Sequence, residues 1–382
     1  MAESRTSPKT VVLERSAAPP AEGRVVSIDA LRGFDMFWLM GGQALVLAVA
    51  AFLPASLRNV LAVELEHSDW LGFTFWDFIA PLFLFVVGLS MPFAIERRLE
   101  AGGSRKRLYL HVIKRTLVLI ALGLVFNGIL ELEFSRFRYT GVLQRIALSY
   151  FFAALIVIGN KLRGQVLWTA GLLLGYWAMM ALIPAPGYHA GDFTPAGNLA
   201  GYLDRLFLPG HFCCYVYGDN EGYLSTIPSV ATVMLGVLCG HLLRSPQPVS
   251  KKLKVLAAGG VLSLAAGLAW GAVFPIITRL WTSSYVLYAN GWSMLLFLGF
   301  YWVIDVKGYR RWAFPFIVVG LNAILIYVVQ NRFDFAHVAN VVVGGAVRHA
   351  GVYQAILAAA SVLAAKWLLL YFLYRKKIFL KA

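Results

Sequence analysis

The chain has 382 residues, 59% of them hydrophobic and only 14% charged, with a mean hydropathy of +0.70 and a formal net charge of +15. Soluble domains carry about 25% charged residues, so the composition excludes an ordinary soluble protein and points to an integral membrane protein. The basic residues fall in short clusters between apolar runs, which argues against nucleic-acid binding and reads as membrane topology.

Residues 1–24 (MAESRTSPKTVVLERSAAPPAEGR) contain no apolar run, so they read as a disordered cytoplasmic tail rather than a signal peptide. Residues 25–382 read as one domain without an internal repeat. Apolar runs near 34–54, 71–94, 112–130, 141–159, 166–184, 226–243, 255–276, 286–304, 314–333 and 352–373 are each long enough to cross a hydrocarbon core. No strand-period signal competes, so the expected fold is all-α: a polytopic bundle of about ten transmembrane helices. With the N-terminus inside, the inner segments hold 25 Lys and Arg and the outer loops hold seven. The positive-inside rule therefore predicts that both termini are cytoplasmic. The loop at 185–225, long and rich in Gly, Pro, Tyr, Asp and His, is expected to form a structured cap on the outer side.

Polar groups inside a bilayer are costly and need a partner or a task. In SIDALRGFDMFWLMGGQ (27–43), Asp29 and Arg32 are spaced for an i,i+3 pair, either a structural clamp or a lip for an anionic ligand, and Gln43 supplies an amide within the span. In HSDWLGFTFWDF (67–78), His67 and Asp77 stand at the start of the second span, with Thr74, Asp77, Phe78 and Pro81 spaced along one helical face. A carboxylate at that depth needs a cation or a histidine, and a histidine oriented by a carboxylate can act as a general base. A purely structural interfacial role explains the pair about as well from physics alone. Asp69 reads as the helix N-cap. Gln144 and Arg145 fall inside the fourth span, where the guanidinium is a natural countercharge for Asp77 or for ligand phosphates. Asn290, Ser293, Asn322, Tyr327, Gln330 and Asn331 form a sparse polar set on the eighth and ninth spans, readable as interhelical glue. Cys213 and Cys214, adjacent in sequence, read as free or buried thiols ahead of a vicinal disulfide, and no zinc or other metal spacing occurs.

Several strings in order resemble one family: IDALRG (28–33), HSDWLGFTFWDFIAPLFLFVVG (67–88), GVLQRIALSYF (141–151), GYLDRLFL (201–208), DNEGYLSTIPSVATVMLGVLCG (219–240), SYVLYANG (284–291), DVKG (305–308), GLNAILIYV (320–328) and YRKKIF (374–379). Together they resemble the heparan-α-glucosaminide N-acetyltransferases and their bacterial relatives. That resemblance implies transfer of acetyl from cytosolic acetyl-CoA, as co-substrate and without a metal, to an amino sugar on the periplasmic side of the inner membrane. It implies that His67 is the catalytic base or a transient acetyl carrier and that Asp77 orients it. Gln43 matches a polar catalytic position in the first span, where lysosomal members have Asn. Arg145, Gln144, Thr74, Trp70, Arg32 and Asn322 are carried over as candidates for holding acetyl-CoA, with the basic residues of 97–115 or 305–311 attracting its phosphates. Implied partners are acetyl-CoA, an amino sugar or oligosaccharide and membrane lipids, without nucleic acid, and a homodimer is compatible. Asp69 and Leu71 stand where the lysosomal enzyme has Ser and Asn. Two other readings fit the same polar residues: a transporter with a His, Asp and Arg relay, and an O-acyltransferase acting on a glycan or lipid hydroxyl.

Overall fold

The computed structural model describes residues 25–133 and 137–380; the expected tail at 1–24 lies outside the described residues. Among the described residues, nine helices are long and apolar enough to cross a membrane, and a sharply bent pair makes a tenth if counted as one span. The protein is thus an all-α polytopic membrane protein. We number its helices α1 (Val26–Ala50), α2 (Ala55–Glu64), α3 (Phe75–Glu100), α4 (Arg105–Phe126), α5 (Val142–Gly159), α6 (Leu162–Leu182), α7 (Leu199–Phe207), α8 (Thr226–Arg244), α9 (Val249–Gly271), α10 (Ser283–Val306), α11 (Phe314–Gly320), α12 (Ala323–Arg332), α13 (Phe335–Arg348) and α14 (Gly351–Arg375). A two-stranded antiparallel hairpin pairs β1 (Cys214–Tyr215) with β2 (Gly218–Asp219).

Two boundaries differ from the hydropathy reading for identifiable reasons. Helix α1 begins eight residues before the expected 34, because the Asp305 carboxylate accepts hydrogen bonds from the N–H groups of Val26 (3.1 Å) and Ser27 (3.0 Å) and caps the polar first turns. The expected span 314–333 is broken: α11 and α12 meet at a 74° bend. Buried Asn322 sits at the break and holds the C-terminal segment, donating to the Ile378 carbonyl (3.0 Å) and accepting from the Leu380 N–H (2.9 Å).

Helices α3 and α8 form the centre, each with 72% of its apolar window buried, whereas α14 buries 6% and lies at the edge. Lipid is as apolar as leucine, so helices associate in a membrane through close packing rather than through the hydrophobic effect. Glycines provide that packing here. A Cβ on Gly88 would stand on the carbonyl oxygen of Val233, and one on Gly236 on that of Phe85, so α3 and α8 touch backbone to backbone. Gly33 and Gly320 seat α1 against α11 in the same way. Met36, Phe83, Leu84, Ile146, Val233, Tyr285 and Ile326 belong to the largest core cluster.

Helix α1 changes pitch at Trp38–Gly42, a π-helical turn in which Gly41 takes φ 132°. Such a turn releases a carbonyl from the helical ladder. Lys366 of α14 donates to the freed Met40 carbonyl (2.6 Å) and to Gln330 Oε1 (3.2 Å), which accounts for a lysine in the middle of an apolar span.

Candidate active site

The connections after the first, third, fifth and seventh spans share one end of the bundle, and they carry most of the polar residues of the site. Helix α3 begins at Phe75, four residues later than the apolar run, because Leu71–Phe73 belong to a loop in which Gly72 (φ 112°) donates its N–H to the Ile276 carbonyl (3.0 Å). The N-cap is therefore Thr74 and not Asp69. Thr74 Oγ1 accepts from the Asp77 N–H (3.4 Å) and donates to the Glu66 carbonyl (2.6 Å), while Asp77 Oδ2 accepts from the Thr74 N–H (3.2 Å), which closes a capping box.

The same carboxylate has a second task. Asp77 Oδ1 lies 2.6 Å from His67 Nδ1, and Oδ2 also accepts from the Ser68 N–H (3.2 Å). The Asp77 side chain is fully buried, whereas that of His67 is 49% exposed, so a fixed anion holds a ring whose other nitrogen remains accessible. With Nδ1–H donating to Asp77, Nε2 carries the lone pair. Buried Tyr285 donates its hydroxyl to the Asp77 backbone carbonyl (2.7 Å), which fixes the first turn of α3 against α10.

His67 and Asp77 line a cavity of about 250 Å³ that runs from the connecting segments into the bundle. Arg138, Cys213, Cys214, Asn220 and Glu221 line it at the loop end; Met36, Leu39, Phe83, Leu84, Ile146 and Ala323 form its apolar depth, together with Asp35. Arg145 also lines it. This arginine does not neutralise Asp77. It donates from Nη2 to Ser225 Oγ and lies 4.7 Å over the Trp281 ring, while its Nε and Nη1 have no hydrogen-bond partner among the described residues.

The other sequence candidates lie outside the cavity wall. Gln43, expected to meet the reacting group, donates instead to the Leu65 carbonyl (2.5 Å), two residues before His67, and so steadies the segment that carries the imidazole. Thr74 is the cap described above. Trp70 donates to the Phe193 carbonyl (2.9 Å) and packs edge-on against Tyr215 (5.2 Å), pinning the loop at 185–225 to the His67 segment. Gln144 donates to the Tyr139 carbonyl (3.3 Å) and packs on Gly123. Arg32 donates to Ser90 Oγ (3.4 Å) and lies 3.6 Å from Asp29. Asn322 is the C-terminal clamp, too far into its own contacts to serve the cavity.

Over the cavity, the long loop is held by a buried carboxylate pair. Asp219 accepts from Arg138 Nε (2.8 Å), and Arg138 also pairs with Glu221. Hydrogen bonds and charge from Arg138 hold the Asp219 carboxyl below the usual carboxylate range. Asp204 of α7 accepts from the N–H groups of Asp219 (3.1 Å) and Tyr223 (3.1 Å), but burial pushes its carboxyl up to about 6. Arg279 bridges the two halves of the roof, donating to the carbonyls of Asp69 (3.1 Å) and Cys214. Cys213 and Cys214, for which the sequence favours free or buried thiols over a vicinal disulfide, are joined as that vicinal disulfide, Cys214 taking a positive φ of 81°. Sequence reasoning also passed over Asp35, Arg138, Glu221, Trp281 and Tyr285. Asp35 carries a readable signal, a lone carboxylate in an apolar run. No group of three or more metal-ligating side chains occurs among the described residues.

The fold and cavity define a polytopic helical membrane protein with a carboxylate-oriented histidine at the rim of a membrane-embedded pocket. The chain belongs to the family whose model, described as heparan-alpha-glucosaminide N-acetyltransferase, catalytic, matches residues 24–272. Heparan-alpha-glucosaminide N-acetyltransferase of Homo sapiens is 29% identical over 426 aligned positions, covering 96% of this chain and 60% of that protein. The protein of the same name from Mus musculus is 29% identical over 434 positions, covering 96% and 62%. The chain thus spans about three fifths of the length of these relatives.

Proposed function

We propose that this chain is a transmembrane acetyltransferase that moves acetyl from acetyl-CoA to the amine of a glucosamine-type sugar, with both termini cytoplasmic and the loop end of the cavity facing the periplasm across the inner membrane. The observation that carries the reading is the 2.6 Å contact between His67 and buried Asp77 at the rim of a pocket reaching into the bundle. Family membership supplies the reaction class.

His67 Nε2 takes the proton from the acceptor amine as its nitrogen attacks the thioester carbon. The C–S bond then breaks, and the proton passes to the departing thiolate, giving free CoA and the N-acetyl sugar. Asp77 stabilises the imidazolium formed on the way. Gln43 is committed to Leu65, so Asn220, on the cavity wall, is the side-chain amide available to the thioester oxygen. The short connections at the opposite end of the bundle are flanked by Arg97, Arg98, Arg105, Lys106 and Arg107, a basic surface suited to the nucleotide phosphates.

The test uses detergent-purified protein, acetyl-CoA and glucosamine, with thiol release as the readout. His67→Ala should abolish release while the melting temperature stays within a few degrees; retained turnover would overturn the assignment. A transport reading is favoured by the 74° break between α11 and α12, since broken helices line transport sites. Gradient-driven uptake into liposomes without thiol release would establish it instead.

A further inference from the structure

The disulfide between Cys213 and Cys214 stands where two surfaces meet. Both cysteines line the loop end of the cavity, and Cys214 is also exposed on the hairpin while Cys213 is half-buried. The third cysteine, Cys239, is buried within α8. A disulfide between neighbours closes a ring through the peptide bond that joins them, so it constrains the backbone as well as the side chains. Cys214 takes φ 81°, a left-handed conformation that residues with a Cβ avoid.

In that conformation the hairpin is tied on both sides. The Cys213 N–H donates to Asp219 Oδ2 (2.9 Å), Cys214 pairs with Asp219 across the strands, and the Cys214 carbonyl accepts from Arg279 Nη1. The same guanidinium donates from Nε to the Asp69 carbonyl (3.1 Å). Asp69 stands two residues past His67, in a connection without helical or strand hydrogen bonds of its own. One arginine therefore couples the disulfide to the segment that carries the imidazole.

We infer that Cys213 and Cys214 form a redox modification site, opened by a dithiol reductant, and that in the oxidised form they position His67 through Arg279. This rests on the acetyltransferase reading above and adds a control to it. A thiolate of the dithiol attacks exposed Cys214 Sγ; the S–S bond breaks, and Cys213 leaves as a thiolate that takes up a proton. The second thiol of the reductant attacks its own sulfur in the mixed disulfide, closes its own disulfide and releases Cys214, which is protonated in turn. Two electrons and two protons pass from the dithiol to the protein. With the ring open, Cys214 leaves the positive φ, its carbonyl turns from Arg279, and the Asp69 tether loses its anchor on the hairpin. His67 keeps Asp77 but loses the support of its segment. On a periplasmic face the disulfide is the resting state, so reduction is the event that lowers activity. The rival account is a staple that only stabilises the hairpin, in which case reduction lowers the melting temperature and leaves turnover of the folded protein unchanged.

The experiment treats detergent-purified protein with dithiothreitol. Alkylation of the folded protein and peptide mass spectrometry should find Cys213 and Cys214 labelled and buried Cys239 spared. Because the reductant is itself a thiol, turnover is followed as N-acetylglucosamine formed from glucosamine and acetyl-CoA. Reduction should lower kcat about 10-fold, less than the roughly 10²-fold that a 1 Å misplacement can cost, since Asp77 still holds the ring. Calorimetric affinity for acetyl-CoA should stay the same, and reoxidation should restore the rate. Cys213→Ser with Cys214→Ser should reproduce the reduced rate and ignore dithiothreitol. Cys213→Ser with Cys214→Gly also lacks the disulfide, but glycine takes a positive φ without penalty, so this pair should recover most of the lost rate; it also serves if the double serine fails to fold. Full labelling of both cysteines with unchanged kcat would overturn the inference, as would equal rates in the serine and glycine pairs or no labelling after dithiothreitol. An oxidised wild type that forms no N-acetylglucosamine sinks the acetyltransferase reading instead. Hydrogen exchange of residues 67–72 then still tests the coupling: faster exchange after reduction supports it, and unchanged exchange refutes it.

Discussion

Asp77 joins folding and chemistry in one carboxylate, and Asp77→Asn separates the two. In the native site Oδ2 serves two backbone donors, Ser68 N and Thr74 N at 3.2 Å, while Oδ1 faces His67 Nδ1 at 2.6 Å. An asparagine has a single acceptor oxygen. Turned toward the two backbone groups, it preserves most of the cap and points its NH₂ at the imidazole. The ring then accepts at Nδ1 and carries its proton on Nε2, the wrong tautomer for a base. The expected consequence is a fall in kcat of about 10²- to 10⁴-fold, the usual contribution of general base catalysis. The stability cost is only about 1 kcal/mol, the scale of one cap interaction. Asp77→Ala should lose activity to a similar degree but cost more stability, about 2–4 kcal/mol, since it strips two backbone N–H groups of their acceptor. Thiol release from acetyl-CoA with glucosamine gives the rate, and thermal unfolding in detergent gives the stability. Full activity in the asparagine variant would refute the tautomer argument, and a melting curve as depressed as that of the alanine variant would refute the division of labour between the two oxygens.

Two further perturbations probe the frame around the site. Gly236→Ala inserts a methyl group against the Phe85 carbonyl and should destabilise the protein by about 2 kcal/mol, the ordinary cost of overpacking; an unchanged melting temperature would count against backbone contact between α3 and α8. Asp204, its carboxyl pushed up to about 6 by burial, holds a proton more tightly folded than unfolded. Its contribution is therefore full below about pH 4 and is lost as pH rises through 6, by about 3 kcal/mol at most. Asp219, held down by Arg138, acts in the opposite sense and only at more acidic pH. Hydrogen exchange of residues 199–225, corrected for intrinsic rates, should show protection falling between pH 4 and 6.5; rising protection would overturn the sign.

His67 and Asp77 were legible because titratable groups beside a lipid-spanning run have few explanations. The spans were legible for the same reason, as long apolar runs leave no other structure open. What hydropathy could not supply was partnership across the chain. Gln43 stands out in sequence as an amide within a span and a candidate for the reacting group, but it is engaged by a carbonyl 22 residues away in sequence. Asn322 likewise belongs to the C-terminal tail and Arg145 to Ser225, pairings that only the assembled bundle creates. The start of α3 was misplaced because Leu71 and Phe73 are apolar yet lie in a loop tied to Ile276. The bend after α11 left no mark on apolar content, since both halves are apolar.

The glycine contacts between α3 and α8 carry a mechanical consequence. Two rods whose main chains touch cannot slide past one another by rotating side chains, so the wall that bears Asp77, Phe83 and Leu84 is a stiff stave. Whatever breathing lets a charged carrier in and a product out is left to the compliant parts of the bundle: the widened turn beneath Gly41 and the elbow at Asn322. The imidazole stands on the connecting segment and is tied to this stave through Asp77.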